Sequence, residues 1–141
     1  MKTSTMTLLL QIAAILHLGL LSAGLMMPRV VNLRAHLAVL PTFIRRLFWV
    51  YYSFIGFCLV SFACLTFMLA GTLAGGSNLA RAMCVLFAAF WTLRLIAATF
   101  VFDLSPYLTN AHRRLGYRAI NVVFIYLPIV YLIAAWKGGT P

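Results

Sequence analysis

The sequence predicts an all-α integral membrane protein, an antiparallel bundle of four transmembrane helices with a short interfacial amphipathic helix between the first two. Composition is the first observation: 65% of the 141 residues are hydrophobic and only 9% are charged. A soluble domain is typically about half apolar and about a quarter charged. Such a chain cannot cover a water-facing surface with polar groups, so it belongs in lipid, and we expect residues 1–141 to form a single domain.

Four apolar segments are the second observation. They cover residues 7–27, 47–70, 82–102 and 119–136, and each is close to the ~20 residues that cross a hydrocarbon core as a helix. Inside lipid the backbone groups of a segment must be bonded internally, which a helix achieves and an open strand does not. We expect the first segment to be retained rather than cleaved as a signal peptide, because it is longer than the usual apolar region of ~7–15 residues and is followed by positive charge.

The distribution of the cations predicts the orientation. Seven of the eleven Lys and Arg residues lie in the loops that follow the first and third segments. The positive-inside rule places these loops in the cytoplasm and both termini outside. The predicted location is a bacterial inner membrane, with both termini on the periplasmic side. The seven cations are Arg29, Arg34, Arg45, Arg46, Arg113, Arg114 and Arg118.

The connections between the first three segments differ in character. Between Pro28 and Pro41, apolar residues recur at helical spacing while Arg29, Asn32 and His36 share another face. This pattern predicts an amphipathic helix that lies in the cytoplasmic interface. Residues 73–78, LAGGSN, are typical of a flexible turn and predict a tight antiparallel hairpin of the second and third segments.

Arg94 is the strongest candidate for a functional residue, because it lies inside the third apolar segment. Insertion scales assign an Arg at mid-membrane an unfavourable free energy of about 2.5–3.5 kcal/mol, and such charges usually mark a functional or partner-facing site. Asp103 is the single acidic residue of the chain. It lies nine residues further on, about 13.5 Å along a helix, which is too far for a direct ion pair.

Several partners for Arg94 therefore stay open. Phe90 and Trp91 are near enough on the same helix for cation–π contact. Pro128 leaves the carbonyl of Phe124 without its usual helical donor, so this carbonyl is a further acceptor. The remaining candidate partners are water, an anionic lipid or ligand, and an acidic residue on another protein. The alternative to a functional role is a structural arginine whose hydrogen bonds are made within the chain.

His17 is the second candidate, at a similar depth in the first segment. Ala13, His17, Leu20 and Gly24 share one helix face, and the small residues on it predict close packing that points His17 into the bundle. A buried imidazole can ligate haem iron, relay protons or hydrogen-bond to a neighbouring Ser or Tyr.

Depth along the segments also groups His17 and Arg94 with two aromatic residues. Tyr126 lies halfway along the fourth segment, and Trp91 lies near the middle of the third. We predict that Arg94, His17, Tyr126 and Trp91 form an intramembrane polar cluster that binds a ligand or a partner.

Asp103 lies at the cytoplasmic face beside the seven loop arginines, and one of them is its expected partner. Each interfacial cation near an anionic leaflet contributes about 1 kcal/mol of attraction. We therefore predict that this face contacts anionic lipids.

The stretch LHLGLLSAGLMMPR, followed by His36, resembles the first helix of small four-helix bacterial protoporphyrinogen oxidases, which are membrane haem proteins of similar length. The resemblance covers residues 16–29 of the 141 and implies that His17 is a ligand of haem b. The lysine-bearing later helix of that family has no counterpart, since no Lys lies within the second to fourth segments.

The catalytic sets of soluble enzymes are missing from the sequence: it has no paired carboxylates, no HExxH and no CxxC. This favours a small non-catalytic subunit or accessory factor of a larger membrane complex, without metal or cofactor, whose partners are anionic lipids and other membrane subunits or a second copy. A haem-binding redox or haem-pathway protein using His17 is one alternative. A small transporter, or a lipid or anion binder, centred on Arg94 is another. Despite the net charge of +10, no nucleic-acid partner is expected, because the cations cluster beside apolar runs.

Overall fold

The computed structural model describes residues 3–101 and 110–137. Within these ranges the chain is all-helical, without strands, and forms six helices. Four of them, α1, α3, α5 and α6, are long and apolar enough to span a membrane, which confirms the predicted number and order of long apolar helices. The helices are α1 Thr3–Val30, α2 Leu33–Ala38, α3 Thr42–Met68, α4 Ala70–Gly75, α5 Asn78–Phe100 and α6 Ala111–Lys137.

The long helices extend beyond most ends of the predicted segments. α6 shows the largest difference, since it begins at Ala111 whereas the apolar segment begins at 119. Its first turns include the exposed Arg113 and Arg114. A helix continues through the polar headgroup layer, whereas hydropathy marks only the part that lies in hydrocarbon.

The connection between α3 and α5 differs from the predicted flexible turn. α4 covers Ala70–Gly75, and the chain turns at Gly76, whose φ of 73° is in the left-handed region. Glycine adopts this conformation without a Cβ penalty. The Ser77 hydroxyl then accepts a hydrogen bond of 3.2 Å from the Ala80 N–H and caps α5. The predicted tight hairpin is thus interrupted by a short helix.

The helices pack in two main pairs, α5 with α6 and α1 with α3, and α1 also packs against α4 and α6. The core lies between these pairs, and its largest fully buried side chains include Trp91, Tyr131 and Phe87. Two buried residues within the described ranges are polar, His17 and Thr66. A further helix, α2, forms inside the predicted amphipathic segment and buries Leu37.

Candidate functional site

His17 lies at the centre of the bundle with 0% of its side chain exposed. The indole Nε1–H of Trp91 donates to Nε2 of His17 over 3.0 Å, and Nδ1 of His17 lies 2.7 Å from the carbonyl oxygen of Ala13. Because an indole can only donate, Nε2 accepts, and the neutral Nδ1–H tautomer donates to Ala13. The prediction that His17 points into the bundle is confirmed, and both of its ring nitrogens are bonded to protein.

The imidazole is surrounded by aromatic rings from the three other long helices. Ring centroids lie 5.0 Å away for Trp91 of α5, 6.2 Å for Tyr131 of α6 and 6.3 Å for Phe62 of α3, all in edge-to-face geometry. Aromatic pairs favour this arrangement. His17 is therefore the point where side chains of α1, α3, α5 and α6 meet.

A second buried hydrogen bond lies beside His17. The hydroxyls of Thr66 on α3 and Tyr131 on α6 are 2.6 Å apart, and both residues are 0% exposed. This pair was not predicted from the sequence, because apolar segments contain several hydroxyl groups and only the rotation of two helices decides which of them meet. The available signal was the tendency of polar side chains to pair across helices in membranes.

Tyr126 and His17 contact different groups. The Tyr126 hydroxyl donates to the carbonyl oxygen of Leu9 over 3.1 Å and so ties α6 to α1. The structure thus brings His17 and Trp91 together, whereas Tyr126 bonds to the backbone of α1. Among the residues that the structure describes, every buried side-chain nitrogen or oxygen has a hydrogen-bond partner.

Arg94 lies one turn beyond Trp91 on α5, and its side chain is exposed. The guanidinium carbon lies 5.2 Å from the ring centroid of Phe124, within the range of a cation–π interaction. Phe124 is the residue whose carbonyl was predicted as an acceptor, and here its ring contacts the guanidinium. The Phe124 ring in turn packs against Trp91, with 5.8 Å between centroids. Arg94 is therefore attached to the outside of the aromatic core.

Three of the predicted interfacial arginines lie around one aromatic residue. Arg29 and Arg34 line an open cleft of 720 Å³ together with Trp49. Arg34 and Trp49 also line an adjacent cleft of 400 Å³, where Arg45 joins them. Arg46 and Arg118 are exposed, as are Arg113 and Arg114. Asp103, the predicted partner of these cations, lies outside the described residues.

No protein-family model matches the chain, and neither a curated protein nor a solved structure matches it. The resemblance of residues 16–29 to haem-binding oxidases stays a prediction.

Proposed function

We propose that this chain is a multi-pass inner-membrane protein that acts as a non-catalytic subunit, or an accessory or assembly factor, of a larger membrane complex. The observation that supports this best is a contrast on one helix. On α5, Trp91 faces the interior and donates to His17, and the charged Arg94 three residues further on is exposed on the side of a helix long and apolar enough to span the membrane.

The hydrogen bonds of His17 favour a structural role for it. A catalytic group or a metal ligand needs a lone pair or a proton that can reach the ligand. In His17 the Nε2 lone pair accepts from Trp91 and the Nδ1 proton lies on the Ala13 carbonyl. Haem ligation through Nε2 would first require that the bond to Trp91 be broken.

The position of Arg94 favours a partner that covers it. A charge exposed to hydrocarbon raises the free energy by about 2.5–3.5 kcal/mol on insertion scales. The contact with Phe124 offsets part of this, since a cation–π interaction contributes about 0.5–2 kcal/mol. Beside Arg94 on α5, Leu93 is 67% exposed, so apolar surface lies next to the cation. A transmembrane helix of another subunit, with a carboxylate or carbonyl facing Arg94, fits this face.

The contacts also support an antiparallel arrangement. The Tyr52 hydroxyl in the first half of α3 donates to the Gly24 carbonyl in the second half of α1. Later in α3, Phe62 contacts His17, earlier in α1. In the other pair, Nε of Arg81 near the start of α5 donates over 3.1 Å to the Ala135 carbonyl near the end of α6.

The cations support the proposed orientation. Arg29, Arg34 and Arg45 lie together where α1, α2 and α3 meet. The positive-inside rule places this end at the cytoplasmic surface, with α2 in the headgroup layer.

Purification from native membranes in mild detergent, with mass spectrometry of the co-purified proteins, tests the proposal. We expect a complex larger than the monomer that contains another membrane protein. Arg94→Gln should reduce recovery of that partner at least about tenfold, the effect of losing about 1.4 kcal/mol. Arg46→Gln, which removes the same charge from the exposed Arg46 near the start of α3, is the matched control and should retain the partner.

Two outcomes would overturn the proposal. A monomer without a bound protein in the unaltered sample would contradict the subunit role, and equal recovery with Arg94→Gln would remove Arg94 from the interface. An absorption spectrum of the same sample tests the haem alternative. A stoichiometric Soret band that disappears in His17→Ala would favour a haem protein instead.

A further inference from the structure

The clefts at the junction of α1, α2 and α3 have the shape of a binding site. The larger one has a volume of 720 Å³, within the range of about 300–1,000 Å³ that is usual for small-molecule sites. The adjacent cleft of 400 Å³ shares Arg34 and Trp49 with it. The two clefts are therefore neighbouring parts of one concave surface, which we call the junction cleft.

Local structure holds the walls of the junction cleft in place. Asn32 adopts a left-handed conformation, with φ 48°, and turns the chain between α1 and α2. On the α3 side of the cleft, Trp49 and Tyr52 pack edge to face at 5.6 Å. The Tyr52 hydroxyl donates to the Gly24 carbonyl and so fastens this wall to α1. The aromatic wall and the turn at Asn32 are thus held in position by contacts between the helices themselves.

The lining of the junction cleft combines cationic and apolar groups. Arg29, Arg34 and Arg45 supply three guanidinium groups, and Leu25 and Met26 supply apolar surface on the same side as Arg29. The whole chain contains a single acidic residue against eleven Lys and Arg. Its own carboxylates therefore cannot neutralise three arginines, and the countercharge must come mainly from outside the chain.

We propose that the junction cleft binds the phosphate headgroup of an anionic phospholipid. Guanidinium groups bind phosphate oxygens in a bidentate fashion, and basic pockets at the cytoplasmic ends of transmembrane helices bind anionic headgroups. Tryptophan and tyrosine belong at headgroup depth, where Trp49 and Tyr52 form the wall. Leu25 and Met26 extend the apolar surface toward the membrane interior, where the first part of an acyl chain lies. This inference rests on the membrane insertion and orientation given under the proposed function, and it is independent of the partner proposed for Arg94.

Native mass spectrometry of the detergent-solubilised protein, titrated with phosphatidylglycerol, tests the proposal. We expect one lipid to be retained preferentially. Arg45→Gln should weaken its binding about fivefold, which corresponds to the usual attraction of one cation near an anionic surface. Arg34→Gln should weaken it at least as much, because Arg34 lines both parts of the cleft. The matched control is Arg46→Gln, since Arg46 follows Arg45 in α3, has the same charge and lines neither part.

The outcomes separate a built lipid site from diffuse attraction and from a site for soluble phosphate. Equal weakening by Arg45→Gln and Arg46→Gln would mean diffuse electrostatic attraction and would overturn the proposal. Displacement of the lipid by free glycerol phosphate at equal concentration would mean that the cleft binds soluble phosphate rather than a lipid, which also overturns it. Phosphatidylcholine binding as tightly as phosphatidylglycerol would exclude recognition of the anionic headgroup. Arg94→Gln should leave lipid binding unchanged. The lipid proposal and the proposed protein partner at Arg94 can therefore be refuted independently of each other.

Discussion

Trp91 and Arg94 lie three residues apart on α5 and have different surroundings. Trp91 is 1% exposed and donates its indole N–H to His17, whereas Arg94 is exposed and lies over the ring of Phe124. Three residues correspond to about 300° of helical rotation, which leaves the two side chains only about 60° apart. That angle is enough to place Trp91 in the interior of the bundle and Arg94 on its outer surface.

The comparison teaches that polar residues in one apolar segment can have two roles. In the interior, Trp91 and His17 form a hydrogen bond with each other, so substituting either should lower the stability of the bundle. Arg94, on the outer surface, should add little to the stability of the bundle. Its effect should instead be on the association of the chain with another membrane protein. Substitutions that separate stability from association therefore test the comparison.

The largest effect is expected for His17→Ala. The change leaves the buried indole N–H of Trp91 without its acceptor and opens a cavity among aromatic rings. Together these should lower the free energy of unfolding by about 2–5 kcal/mol. Thermal unfolding in detergent measures this. Leu18→Ala, at a neighbouring residue that is 49% exposed, is the control. A similar loss in both variants would show that His17 is not a central contact.

Tyr131→Phe should have a smaller effect. It removes the hydroxyl that pairs with Thr66, and hydrogen bonds between transmembrane helices contribute about 0.6 kcal/mol on average and up to about 1.7. A double-mutant cycle with Thr66→Val should show coupling, because the two hydroxyls contact each other. Tyr51→Phe, at a residue that is 61% exposed, should leave stability unchanged. Strict additivity of Thr66→Val and Tyr131→Phe would argue that their contact contributes nothing.

Arg94→Gln should change the stability of the isolated bundle by no more than about 1 kcal/mol, the size of one exposed cation–π contact. The same thermal assay in detergent measures this. Arg94→Lys should stay closer in stability to the unaltered protein than Arg94→Gln does, because it keeps a cation beside Phe124. A loss of unfolding free energy as large as that of His17→Ala would mean that Arg94 stabilises the interior. Arg94 would then not differ from Trp91 in its role.

The smallest effect is expected for Gly56→Ala. A Cβ at this position would lie 3.8 Å from Cδ1 of Leu21, an ordinary van der Waals distance. The α1–α3 contact there does not depend on the close backbone approach that glycines often allow between transmembrane helices. We expect a stability change within about 0.5 kcal/mol. A loss above about 2 kcal/mol in the thermal assay would mean that the two backbones approach more closely in the membrane.

Some features of the site could be predicted from the sequence and some could not. The inward direction of His17 followed from the small residues on its helix face, and the structure buries Ala13, His17 and Leu20 together. The grouping of Tyr126 with His17 rested on depth alone, and Tyr126 bonds to Leu9 instead. Depth is a one-dimensional coordinate, so it leaves open the direction in which each side chain points.

The sequence by itself determined the class of the molecule and its four long apolar helices. The physical reason is local: a segment of about twenty apolar residues must satisfy its own backbone in lipid, and a helix does so without any neighbour. Only the tertiary structure decided that Trp91 faces His17, that Thr66 meets Tyr131 and that Arg94 stays outside. These choices depend on the rotation of each helix against all of its neighbours, and no single segment contains that information.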